Sequence, residues 1–85
     1  MSRALQVYHT AFDSDFLALP EASRRRIQEA IDAMGLDLAR YPHHRLKGSA
    51  HFRLRAGDYR IIYTFDARLN EIHLLAVGHR REIYR

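Results

Sequence analysis

The chain has 85 residues, no cysteine, and 14 Lys plus Arg against 10 Asp plus Glu, for a formal charge of +4. Such a length predicts one domain over residues 1–85, able to bury roughly 60% of its unfolded surface without staples. The absence of cysteine excludes a disulfide framework and any thiolate metal site. The longest purely apolar run, Leu74 to Val77, falls far short of the about 18 residues that cross a bilayer. Met1 to His9 also lacks the apolar stretch of a signal peptide, so a cytoplasmic protein without a membrane partner is expected.

Charge is unevenly placed. Residues 1–42 carry five Arg against six acids, whereas residues 43–85 carry nine Lys plus Arg against four, a net +5. Thirteen of the fourteen basic residues are Arg, the side chain whose planar fork matches phosphate oxygens. A basic half is often only a solvated face, so this balance alone leaves nucleic-acid binding as one of two readings.

In chain order, Ala4 to Tyr8 reads as a short first strand. Thr10 to Leu19 reads as a first helix, with Phe12, Phe16 and Leu19 at helical spacing and Asp13, Ser14 and Asp15 placed to cap its start. Pro20 suits the first turn of a second helix, and Gly35 suits its left-handed end. Ile27, Ala30, Ile31 and Met34 form that helix's apolar stripe, and Glu21 and Arg25 stand at i,i+4. Arg24, Arg25 and Arg26 wrap most of a turn and read as a solvated surface. Tyr41-Pro42-His43-His44 reads as a turn.

From His51 to Arg55 apolar and basic residues alternate, the period-2 pattern of a half-buried strand with one oily and one cationic face. Ala56-Gly57-Asp58 supplies a turn, and Tyr59 to Phe65 resumes as the second arm of a β-hairpin. Like charges on one sheet face destabilise one another, so the guanidiniums suggest a polyanionic partner. Asp66 to Asn70 is a polar connection before a third consecutive strand, Glu71 to Gly78. The plan is α+β, β-α-α-β-β-β, with two helices packed on one face of a small antiparallel sheet and the other face left for function. The place of the first strand in the sheet stays open.

The tail, His79 to Arg85, puts an imidazole, three guanidiniums and a phenol within seven residues. Lys47-Gly48-Ser49, Phe52-Arg53-Leu54-Arg55, Gly57-Asp58-Tyr59-Arg60-Ile61-Ile62-Tyr63 and Gly78-His79-Arg80-Arg81-Glu82-Ile83-Tyr84 together resemble the RelE/ParE superfamily of type II toxin–antitoxin toxins, over nearly the whole chain. The resemblance implies the RelE-like fold and one of two activities. RelE-like members are endoribonucleases that cut mRNA in the ribosomal A site, and ParE-like members poison DNA gyrase; a non-toxic RNA-binding relative is a third possibility. In the nuclease branch the groove positions fall here on His51 and Arg53, Arg60, Arg80 and Tyr84, with Lys47, Arg55, His79, Arg81 and Arg85 as RNA contacts. Because usable groups occupy them, the nuclease branch is favoured. The implied partners are a RelB-like antitoxin with an acidic segment, the ribosome and mRNA, with no cofactor and no metal.

Attack of a ribose 2′-oxygen on phosphorus gathers negative charge on phosphoryl oxygens, which fixed Arg donors stabilise; Arg60 and Arg80 take that role. Arg never deprotonates, so His51, His79 and Tyr84 remain open as proton carriers. Where RelE-like enzymes often have lysines on the second strand, this chain has His51 and Arg53. Bland readings stand beside these. Arg55 pairs with Asp58 or a helix acid, Tyr59 and Tyr63 are core or edge aromatics, His73 is a sheet histidine, and adjacent His43 and His44 point poorly at one ion.

Overall fold

The computed structural model describes residues 2–83. In order it holds β1 (Leu5–Tyr8), α1 (Thr10–Leu17), α2 (Glu21–Gly35), β2 (His44–Arg45), β3 (Phe52–Ala56), β4 (Tyr59–Asp66) and β5 (Glu71–His79). The strands form one five-stranded sheet in the order β1-β5-β4-β3-β2. β2 to β5 pair antiparallel, while β1 lies parallel to β5, with Val7 opposite His73. The α+β plan with two helices on one sheet face is the one the sequence predicts, completed by the edge strand β2.

Alternation decides the two faces. Leu54 and Ala56 of β3, Ile61 and Tyr63 of β4, and Ile72, Leu74 and Val77 of β5 point to the helices and are buried. They meet Phe12 of α1, Ile27, Ile31 and Met34 of α2, and Ala4 and Leu38 in one core. Each such aliphatic side chain contributes about 1.5–3 kcal/mol through removal from water. Strict alternation would turn Val77 outward, because it stands three residues, an odd number, after Leu74. A register shift between Ile62 and Tyr63, which pair with Ala76 and Leu74, leaves Leu75 unpaired. This bulge resets the phase, so that Val77 returns to the core.

Several boundaries differ from the sequence reading. α1 begins directly after β1, with His9 at its N-cap and no side-chain capping bond. Asp13, Ser14 and Asp15 therefore sit inside the helix rather than before it, because His9 N–H donates to the Leu74 carbonyl at 3.0 Å and ends the strand there. Pro20 occupies the N-cap of α2, one place earlier than the first turn. Gly35 is still helical and buried, and only Gly48 and Gly57 among the glycines have positive φ. A Cβ added at Gly35 would lie 3.6 Å from Ala4 and Ile72, an ordinary van der Waals contact, so neither a left-handed cap nor close packing demands glycine at this position. The stripe of Ile27, Ile31 and Met34 is fully enclosed, and Arg25 and Glu21 form the i,i+4 pair at 3.1 Å.

Candidate functional site: an arginine basin on the open sheet face

On the sheet face away from the helices the register sets cations beside one another. Arg55 stands directly opposite Arg60, and Arg53, two residues earlier on the same face, pairs with His44 of β2. His44, Arg53, Arg55 and Arg60 line a single concavity of about 240 Å³. Of the sequence-derived candidates, the fold thus gathers three, Arg53, Arg55 and Arg60, into one place. It adds His44, which the sequence reading left in a turn. A two-residue strand is too short to show alternation, so no periodic signal marks His44; only its adjacency to the basic hairpin does.

Arg60 is held in place before any ligand arrives. Its Nη1 donates to the carbonyls of Gly57 at 3.0 Å and Tyr59 at 2.9 Å, which ties the guanidinium to the turn of its own hairpin. A guanidinium carries five N–H donors, so others stay available. Among the described residues the ion pairs are Arg25 with Glu21 and Arg80 with Asp58. Arg53, Arg55 and Arg60 therefore lie together with no carboxylate partner among those residues, and the alternative of an Arg55–Asp58 or Arg55–helix pair is not what forms.

The other candidates among the described residues lie around this basin rather than in it. His51 is exposed just before β3, with its N–H donating to Ser49 Oγ at 3.0 Å. Arg80 sits at the hairpin-turn end, where its N–H donates to the Asp58 carbonyl at 2.8 Å and its Nε lies 4.0 Å from Asp58 Oδ1. His79 lines a separate concavity of about 580 Å³ with Asp15, Tyr59 and Glu82. Its Nδ1 accepts from the Arg81 N–H at 3.2 Å. Lys47 and Arg81 are exposed in loops. Tyr84 and Arg85 lie outside the described residues.

Where the chain folds back after β5, Ile83 packs over Gly78, and a Cβ added there would come 3.2 Å from Ile83 Cδ1, close enough that Ile83 would have to shift. Behind the sheet, Tyr63 is fully buried, and burial, with the Tyr41 phenol adding to it, pushes its own phenol far above the ordinary range. Tyr63 is thereby a core aromatic that stays neutral, as its alternation implied. His43 and His44 point to opposite faces, the former to Tyr63 and the latter into the basin. Among the described residues no three His, Asp or Glu side chains gather as metal ligands, and no helix is long and apolar enough to cross a membrane.

Against known proteins, residues 7–84 match the family described as the ParE toxin of type II toxin–antitoxin system, parDE. The chain belongs to this family. It is a toxin of a type II toxin–antitoxin system within the RelE/ParE superfamily. No curated protein matches it. Its fold is shared with the RelBE2 toxin–antitoxin complex of Mycobacterium tuberculosis, at 22% identity and a TM-score of 0.77 over 96% of this chain and 97% of that one. The archaeal RelE–RelB complex of Pyrococcus horikoshii OT3 follows at 24% identity and 0.76, over 95% and 99%. The RelB–RelE complex of Methanococcus jannaschii gives 26% identity and 0.69, over 92% and 94%. All three solved neighbours are toxins held by their antitoxins.

Proposed function

We propose that this toxin is an endoribonuclease that cuts mRNA on the ribosome by attack of a 2′-oxygen on the adjacent phosphorus. One observation carries the reading: Arg55 and Arg60 stand directly opposite on an open face, with Arg53 beside them and, among the described residues, no carboxylate to neutralise them. Like charges so placed destabilise the sheet. A phosphodiester seated between them relieves that repulsion, and a pentacoordinate phosphorane, with more charge on its oxygens, relieves it further. Arg60, fixed by its two carbonyl bonds, is the preorganised donor; Arg80, Arg53 and Arg55 complete the positive field. His44, His51, His79 and Tyr84 are the groups able to carry protons, and among the described ones His44 is the one inside the basin. Three guanidiniums repel a divalent cation, which supports a reaction that does not route through a bound metal.

The toxin's expected antitoxin is a RelB-like protein whose acidic segment neutralises the same face. This follows from the +5 half of the chain and from the RelB-bound state of the structural neighbours. A second reading, poisoning of DNA gyrase, is favoured by the ParE description of the matched family. Inducing the chain in bacteria and following protein and DNA synthesis separately tests the choice. Early arrest of translation supports the nuclease; early arrest of replication with DNA breaks supports the gyrase reading and rejects the proposal.

A further inference from the structure

His44 reaches the basin from a strand of two residues, too short for its ladder to hold it firmly, and the means of holding it lies behind the sheet. The neighbouring residue, His43, turns its ring inward. Its Nε2 lies 2.7 Å from the Leu38 carbonyl, and its Nδ1 lies 2.6 Å from Tyr63 Oη. A carbonyl only accepts, so Nε2 bears the proton; Nδ1 of the neutral ring then accepts from the Tyr63 hydroxyl. The ring also stacks on Phe65 at 3.8 Å between centroids and meets Phe52 edge-on at 5.8 Å. It thus joins the loop after α2, through Leu38, to two residues of β4. Arg45, on the far side of His44, lies with its guanidinium carbon 5.3 Å from the Phe52 ring centroid. Along His43-His44-Arg45 the His43 ring thus lies behind the sheet and His44 on the open face, while Arg45, itself exposed, shares the side of Phe52.

From this geometry we infer that His43 is a positioning residue: by bridging Leu38 and Tyr63 behind the sheet, it holds β2 so that His44 stands in the arginine basin. The inference rests on the reading of that basin as the RNA site. His43→Phe keeps the stacking ring and removes both hydrogen bonds, so β2 separates from β3 and His44 leaves the basin. His43 touches no substrate and acts only through His44. Its loss is accordingly not additive with loss of His44.

The test combines NMR of the β2–β3 pairing with binding and single-turnover cleavage of an RNA oligonucleotide on programmed ribosomes, for the parent, His43→Phe, His44→Ala and the double variant. Circular dichroism establishes folding, and Tyr63→Phe, which removes one of the two bonds, serves as a milder second variant. The expected result is loss of the His44–Arg53 cross-strand contacts in His43→Phe. A fall in RNA affinity or rate of roughly tenfold or more should accompany it, matched by His44→Ala and not deepened in the double variant. Intact β2–β3 contacts in both His43→Phe and Tyr63→Phe overturn the inference whatever happens to RNA. So does an equal further loss when His43→Phe is added to His44→Ala. If the contacts are lost but His44→Ala binds and cleaves like the parent, the lock stands and the reading of the basin fails.

Discussion

Replacing Arg55 by Met separates the cost of the basin from its use, because fold and function should respond with opposite signs. Residues directly opposite in an antiparallel pair have Cβ atoms about 4.5–5.5 Å apart, and like charges there cost about 0.2–1 kcal/mol. Arg55 faces Arg60 in this way, and neither has a carboxylate partner among the described residues. Met keeps the unbranched apolar stem and removes the charge. Stability should therefore rise by a few tenths to about 1 kcal/mol at low salt. The gain should shrink toward zero near 1 M salt, where the screening length is about 3 Å. RNA affinity should fall, and the slope of log affinity against log salt should become shallower by about 0.7, the value for one phosphate contact on a single strand. Urea melts and fluorescence anisotropy with an RNA oligonucleotide, each across a salt series, provide the measurements. If Arg55→Met is less stable at every salt concentration and its binding slope is that of the parent, Arg55 has a favourable partner within the fold, and the unpaired basin is refuted.

Arg60→Ala and Arg80→Ala should each slow single-turnover cleavage on the order of 10²–10³-fold, with Arg60→Lys recovering only part because the fork is lost; parent-like rates for both alanine variants would move the active groove elsewhere. Gly57→Ala should destabilise by about 1 kcal/mol or more. Gly57 sits at φ +61°, and an added Cβ would come 2.6 Å from Arg26 Nη1, so a companion Arg26→Ala should return the steric part of the loss in thermal melts. The buried Tyr63 phenol, raised by burial, holds its proton after an unfolded tyrosine has released its own near pH 10. Its contribution is thus complete below about pH 10 and is lost as pH rises beyond it, with a slope approaching about 1.4 kcal/mol per pH unit. Tyr63→Phe should be less stable at neutral pH yet show a shallower alkaline decline in urea melts.

The hairpin and the apolar stripe of α2 were legible because both repeat a period over enough residues to be seen: Phe52, Leu54 and Ala56 by twos, Ile27, Ile31 and Met34 by threes and fours. What escaped was set by tertiary contacts. His44–Arg45 is a strand only because β3 pairs with it, and its outward histidine is fixed by what His43 meets behind the sheet. The parallel docking of β1 on β5 carries no local mark at all. Gly35 looked like a helix terminator from its type alone, but it is still helical and buried, without the positive φ of a left-handed cap. For the site, residue type and alternation put Arg53, Arg55 and Arg60 on one face. Only the register brings Arg55 against Arg60 and moves His79 to a different concavity.

The most direct test of the nuclease reading is the chemistry of the RNA ends left on purified ribosomes programmed with a defined mRNA and treated with the purified toxin. The reading predicts a cut in the A-site codon that leaves a 2′,3′-cyclic phosphate, or its opened 3′-phosphate, and a 5′-hydroxyl, with Arg60→Ala nearly inactive. Intact mRNA, or a 5′-phosphate product from attack by water, would contradict it.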